Sequence, residues 1–203
     1  MSSEESAGSK SEHLAPLLSA LRDLSAWLLA TEVRGAVIGG VAASLLGRPR
    51  LTRDVDVMVL LDEKRWTDFL TAGKRFGFEP RLTDALAFAR SARVLLMRHE
   101  PSGIDIDVVF GLLPFEEEAI GRITWVKIGD VRIPLPRPED LIIMKAVAHR
   151  TRDLSDIEAI LDAHRKLDTP RILQWVREFS SALEIPEIMS DMEALLSKYR
   201  ERK

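Results

Sequence analysis

Two short apolar runs, Asp54–Leu61 (DVDVMVLL) and Ile104–Phe110 (IDIDVVF), each carry aspartates at alternate positions near their N-terminal ends. This pattern constrains the fold more than any other feature of the chain. Runs this length, rich in Val and Ile and bounded by turn residues, read as strands. In a strand residues i and i+2 face the same side, so Asp54 and Asp56 stand side by side, and so do Asp105 and Asp107. Their Cα atoms are then roughly 6.5–7 Å apart. Carboxylates that close repel unless a cation lies between them. A pair of divalent metals about 3.5–4 Å apart supplies that charge, and one more carboxylate from a neighbouring strand completes the ligand set. Mg²⁺ suits such all-oxygen chemistry, leaving positions for water and phosphate.

A third feature belongs with these strands. Arg34–Ile38 (RGAVI) reads as a buried strand ending at Gly39-Gly40, with a short helix at Val41–Leu46 closed by Gly47. A diglycine turn lets backbone N–H groups approach a polyphosphate closely at the start of the following helix. Taken singly, a glycine pair is more often a turn than a phosphate site, and alternating acids fit the solvent face of a half-exposed strand as well as they fit metal binding.

The rest of the first half alternates helix and strand. Leu14, Leu17, Leu18, Leu21, Leu24 and Leu28 make one helical stripe from His13 onward. Residues 62–76 read as a helix with Asp62 as N-cap, and residues 83–92 as a short one. Residues 93–98 pair with the Ile104 strand through a Pro-Ser-Gly turn, residues 114–120 form a helical turn or two, and 124–128 with 131–133 form a hairpin. Beyond Pro134–Pro138 every segment has helical period, with starts near Glu139, Asp153, Pro170 and Pro186. The expected organisation is a flexible polar tail at 1–12, a mixed α/β domain at 13–135 and a helical region at 136–203. The fold class is thus α/β (α+β): a short, twisted, mixed sheet flanked by helices, followed by a C-terminal helical bundle.

Composition narrows the function. The 203 residues are 46% hydrophobic and include no cysteine, so thiolate metal sites, disulfides and a cysteine nucleophile are excluded. The 29 basic and 32 acidic residues, net charge −3, give no global attraction for nucleic acid, so any such contact needs a local patch. No apolar stretch reaches the ~18 residues of a membrane span, and the first twelve residues lack the order of a signal peptide. A soluble, cytoplasmic protein without membrane partners is the expectation. His13, His99, His149 and His164 have neither metal-ligand nor triad spacing. Trp27, Trp66, Trp125 and Trp175 fall on apolar faces and read as core. Lys198, Arg200, Arg202 and Lys203 read as a solvated basic end that complements the helix dipole, with contact to an RNA substrate as the alternative.

Gly39-Gly40, thirteen intervening residues and Asp54-Val55-Asp56-Val57 resemble the signature of the DNA polymerase β-like nucleotidyltransferase superfamily: a glycine pair, a gap, then Asp-x-Asp on a strand, with a third acid later. The segments IGGVAASLLG, RLTRDVDVMV, IDVVFGLLPFEEEAI and RPEDLIIMKAVAHRTRDLSDIEAIL, in that order over about residues 34–161, are similar to the AbiEii-type toxin nucleotidyltransferases. The resemblance implies the nucleotidyltransferase fold and transfer of NMP from an NTP, with two Mg²⁺ ions, to an acceptor. That acceptor would be RNA such as a tRNA end, in a toxin or phage-defence setting with a cognate antitoxin. A protein hydroxyl or a small molecule such as an antibiotic is a rival acceptor, and an inactive nucleotide-binding regulatory protein is the rival class. By the same resemblance Asp54, Asp56 and Asp107 hold metal and are catalytic. Gly39, Gly40, Arg50, Thr52 and Lys145 contact the nucleotide, and Asp156 groups with the active site. Asp105, on the same face as Asp107, is the alternative third acid. Two further alternatives stay open: Lys145 as a surface lysine, and Asp156 as part of a capping box with Asp153.

Overall fold

The computed structural model describes the backbone of residues 4–201 and the side chains of residues 14–201. Of the basic C-terminal end, Arg202 and Lys203 lie outside the described residues, as does the side chain of His13. The chain divides into two compact units. One comprises the segments up to Val37 and Thr52–Leu135; the other comprises Ile38–Leu51 and everything from Pro136 onward. The segment 38–51, read from sequence as part of the α/β half, thus groups with the C-terminal helices.

The first unit is built on a mixed five-stranded sheet in the order β1-β2-β5-β4-β3. The strands are β1 (Arg34–Ile38), β2 (Asp54–Leu60), β3 (Phe78–Pro80), β4 (Val94–His99) and β5 (Ile104–Phe110). β2 runs parallel to β5, while β4 is antiparallel to both β5 and β3. The alternation read in the sequence appears as two faces. Val55, Val57, Ile106 and Val108 are fully buried on one side, and the four aspartates occupy the other with partial exposure.

Helix α1 (Glu4–Ala30) begins nine residues before the start marked by the leucine stripe, so its helical backbone covers residues 4–12, and it runs through Pro16. From Leu21 onward the stripe is buried, and Trp27 stacks on Phe69 at 4.1 Å and on Phe78 at 5.0 Å. Its indole N–H is satisfied by the Phe69 carbonyl at 3.0 Å. Phe69 belongs to α3 (Trp66–Gly73), whose Trp66 stacks on Phe110 of β5 at 3.8 Å. Residues 62–76 do not form one helix: α3 is flanked by single 3₁₀ turns at Glu63–Arg65 and Lys74–Phe76. Asp62 caps the first of these, accepting from the Lys64 N–H at 2.9 Å. α4 (Ala85–Ala92) and α5 (Pro114–Gly121) follow the sequence pattern closely.

Buried His99 ties α1 to the β4–β5 turn, its ring nitrogens 3.0 Å from Asp23 Oδ2 and 2.7 Å from Ser102 Oγ. The hairpin β6 (Thr124–Ile128) and β7 (Val131–Leu135) forms its own two-stranded sheet and packs on α1, with Ser25 donating to the Arg132 carbonyl. Trp125 does not enter the core. Position 125 is on the open face of this hairpin and is 41% exposed, with Arg132 over its ring.

In the second unit α2 (Gly39–Leu46) packs with α6 (Pro138–Ala148) and α7 (Thr151–Ala163), and α8 (Thr169–Leu183) pairs with α9 (Pro186–Glu201). Gly47 lets the end of α2 approach the α7 backbone, since a Cβ there would lie 3.1 Å from Ile160 N. Asp140, wholly buried on α6, is paired with Arg171 of α8 at 3.0 Å.

The β1–β2 contact is similarly close: a Cβ on Gly35 would lie 2.7 Å from the Met58 carbonyl oxygen and 3.0 Å from Val59 Cγ1. We predict that Gly35→Ala lowers the unfolding free energy by about 1–3 kcal/mol, the usual cost of overpacking. Urea denaturation measures it, and an unchanged midpoint would show that the strands separate without cost.

Candidate active site

The parallel pairing of β2 with β5 sets Asp54 opposite Asp105 and Asp56 opposite Asp107. Partners in register point to the same face. The antiparallel pairing of β4 then places Arg98 opposite Asp105 and Leu96 opposite Asp107. On the next strand Glu79 lies opposite Arg98, and the Arg81 N–H donates to the Leu96 carbonyl at 2.9 Å. Two rows therefore cross the sheet. One reads Glu79, Arg98, Asp105, Asp54; the other reads Arg81, Leu96, Asp107, Asp56.

The cationic ends of these rows reach the acids. Arg81 Nη1 lies 3.2 Å from Asp105 Oδ2, and its Nη2 bonds Asp107 Oδ1. Arg98 Nη1 lies 2.9 Å from Asp105 Oδ1. Asp105 thus has two guanidinium partners. Burial pushes the Asp107 carboxyl up, Arg81 pulls it down, and the negative charges of Asp54 and Asp105 push it up again. The balance leaves the group above its ordinary value. Among the described residues no three acidic or histidine side chains close on a common point as a metal shell requires. The charge that neighbouring carboxylates need is met in this arrangement by arginine. The donor set itself is hard carboxylate oxygen with residual like-charge repulsion, which fits a divalent cation such as Mg²⁺.

A second polar cluster lies within the helical unit. Arg50 holds Asp156 through Nε and Nη2, both at 3.0 Å. Lys145 Nζ is 2.8 Å from Asp156 Oδ2 and 2.9 Å from Asp153 Oδ1. Lys145 is buried, 5% exposed, so it is not a surface lysine. Nor do Asp153 and Asp156 form a capping box: the N-cap of α7 is Arg150, with no side-chain cap, and both acids turn to the cations instead. Burial raises the Asp156 carboxyl, but hydrogen bonds and charge from Arg50 and Lys145 outweigh it, leaving the group below its ordinary value.

The remaining candidates sit at element junctions. Gly39 opens α2 directly after β1 with φ of 61°, a left-handed conformation that favours glycine, and Gly40 follows it. Thr52 is half-buried two residues before β2. The structure therefore gathers Asp54, Asp56, Asp105 and Asp107 on the sheet, and Arg50, Lys145 and Asp156 among the helices. It adds three residues that sequence reasoning missed: Arg81, Arg98 and Asp153. The Pro-Ser-Gly turn was a usable signal for Arg98, because it sets the β4–β5 register; Arg81 had none, because β3 was not anticipated.

Residues 13–203 match the family described as nucleotidyltransferase of unknown function (DUF6036), and the chain belongs to that family. It is a nucleotidyltransferase. No curated protein matches it. Among solved structures it is similar to an antigenic nucleotidyltransferase-like protein from Paracoccidioides brasiliensis, at 17% identity and TM-score 0.56, over 87% of this chain and 92% of that one. That likeness shows the nucleotidyltransferase fold. Lower similarity is found to the lincosamide antibiotic adenylyltransferase LnuA (13% identity, TM-score 0.47, 70% of this chain and 94% of that one). The antibiotic-resistance factor ANT(2'')-Ia is comparable (14% identity, TM-score 0.49, 92% of each chain). No helix among the described residues is long and apolar enough to cross a membrane.

The lowered Asp156 carboxyl stabilises the folded protein above the ordinary carboxylate pKa of about 3.9, and that stabilisation is lost as pH falls through it toward the lower folded value. Asp156→Asn should cost about 1–3 kcal/mol at neutral pH, because half-buried Arg50 loses its carboxylate and buried Lys145 keeps only the Asp153 pairing of the two shown here. Urea midpoints from pH 7 to pH 2 should show the gap to the parent protein narrowing on acidification; a constant gap contradicts the assignment.

Proposed function

We propose that this nucleotidyltransferase moves a nucleoside monophosphate from an NTP to an RNA acceptor, such as a tRNA end, with two Mg²⁺ ions bound at Asp54, Asp56 and Asp107. The observation that carries the reading is the in-register pairing of two Asp-x-Asp segments on parallel strands. That pairing concentrates four carboxylates on one partly exposed face. When bound, the cations would neutralise charge on the attacking and leaving oxygens. In the reaction the acceptor hydroxyl oxygen forms a bond to the α-phosphorus, the bond from that phosphorus to the bridging oxygen breaks, and pyrophosphate leaves. The chain's own part is largely positioning.

Asp107 is assigned as the third acid, helping activate the attacking hydroxyl. Its place opposite Asp56, and the double arginine pairing of Asp105, support that choice. Asp105 then keeps the guanidiniums in place. Gly39 and Gly40 are assigned to the nucleotide phosphates through their backbone N–H groups. Arg50, Thr52 and Lys145 are assigned to the nucleotide by resemblance, with Asp156 orienting both cations. The RNA acceptor, the toxin or phage-defence setting, a cognate antitoxin and a cytoplasmic location rest on similarity to the AbiEii-type enzymes across the four segments quoted above.

The test is incubation of the purified protein with α-labelled NTPs, Mg²⁺, total RNA and a cell extract. Label in RNA with release of pyrophosphate is expected, and Asp54→Ala or Asp56→Ala should reduce both by about 10³-fold or more. Label in a polypeptide or a small molecule would replace RNA as the acceptor. Nucleotide binding without pyrophosphate release would overturn the transfer reading.

A further inference from the structure

We propose that Arg81 is a built-in counter-cation of the acid rows that must leave Asp107 before a divalent cation can bind there, and so sets the protein's cation affinity. The proposal rests on the reading of Asp54, Asp56 and Asp107 as cation ligands.

The geometry separates Arg81 from an ordinary surface ion pair. Its backbone is anchored, because its N–H donates to the Leu96 carbonyl and extends the β3–β4 pairing by one residue. Its side chain then spans β4, over Leu96, to reach two carboxylates on β5 at once. An arginine fork matches such oxygens better than a point charge does. The contact is nevertheless open to solvent. The Arg81 side chain is 28% exposed, the two carboxylates are 35% and 34% exposed, and residues 81–84 form an exposed turn. A guanidinium held this way can swing out without disturbing its own backbone.

The two acids would respond differently to its departure. Asp105 keeps Arg98, which faces it in register at 2.9 Å. Asp107 faces only apolar Leu96 on β4, so losing Arg81 returns its oxygens to the shared face with Asp54 and Asp56. A guanidinium and a divalent cation cannot both hold that carboxylate at close range, since their like charges repel. Arg81 therefore competes with the cation, and pairs with Asp105 and Asp107 in its absence.

The test uses Mn²⁺ as probe, without nucleotide, and free Mn²⁺ measured by electron paramagnetic resonance. Arg81→Gln should bind Mn²⁺ about tenfold more tightly than the parent protein, the order expected for removing one competing unit charge from a partly solvated contact. Arg81→Lys, which keeps the charge but loses the fork, should give a smaller gain and serves if the glutamine variant fails to fold. Arg98→Gln should change Mn²⁺ affinity less than Arg81→Gln. With chelator present, Arg81→Gln should melt below the parent protein, and Mn²⁺ should close that gap. Unchanged or weaker Mn²⁺ binding by both Arg81 variants would overturn the counter-cation role while leaving the cation site intact. If no variant binds Mn²⁺, or if binding survives Asp54→Ala and Asp56→Ala, the underlying reading of the acids fails and takes the proposal with it.

Discussion

The parallel pairing of β2 with β5 is the interaction on which the arrangement depends. Neither strand's aspartates make a four-acid cluster alone; the cluster exists because residue 54 meets residue 105 and residue 56 meets residue 107. A slip of one residue in either strand would turn that strand's acids toward the apolar face and its valines or isoleucines toward the other. Burying Val55, Val57, Ile106 and Val108 completely makes such a slip costly. The hydrophobic face thus maintains the alignment of the polar one. Trp66 stacked on Phe110 and Gly35 pressed against Met58 brace the same two strands.

Charge placement follows a rule in each unit taken separately. On the sheet, positive groups arrive from the β3–β4 side, and the β2 acids lie furthest from them along each row. Among the helices, Asp156 holds two cations and Asp153 shares one of them, so the buried charges neutralise one another. The first arrangement is partly wet and exchangeable; the second is buried and costly to break.

Most of the scaffold was legible because it rests on local patterns. Alternation gave β2 and β5 with ends within a residue, and Gly39-Gly40 marked the end of β1 with a positive φ that only the structure could measure. Period-3.6 stripes and prolines located α6, α8 and α9. What stayed hidden depended on pairing partners distant in sequence. The three-residue β3 is too short to carry an alternation signal, and without it Arg81 had no assigned neighbour. Asp153 looked like a helix cap because local spacing cannot reveal a buried lysine opposite it. Trp125 read as core because its strand has an apolar pattern, yet the hairpin leaves that position open. Periodicity also cannot distinguish Asp105 from Asp107, which share a face; their unequal access to Arg98 is a property of register alone.

The buried Asp140–Arg171 pair carries a consequence for divergence within the family. With its acid wholly shielded from water, changing either partner by itself removes a close charge pairing from between α6 and α8, which is costly. The two positions are therefore expected to drift only in concert, both ionic or both apolar. The helical unit would record its history as paired replacements at 140 and 171 even where the surrounding residues wander freely.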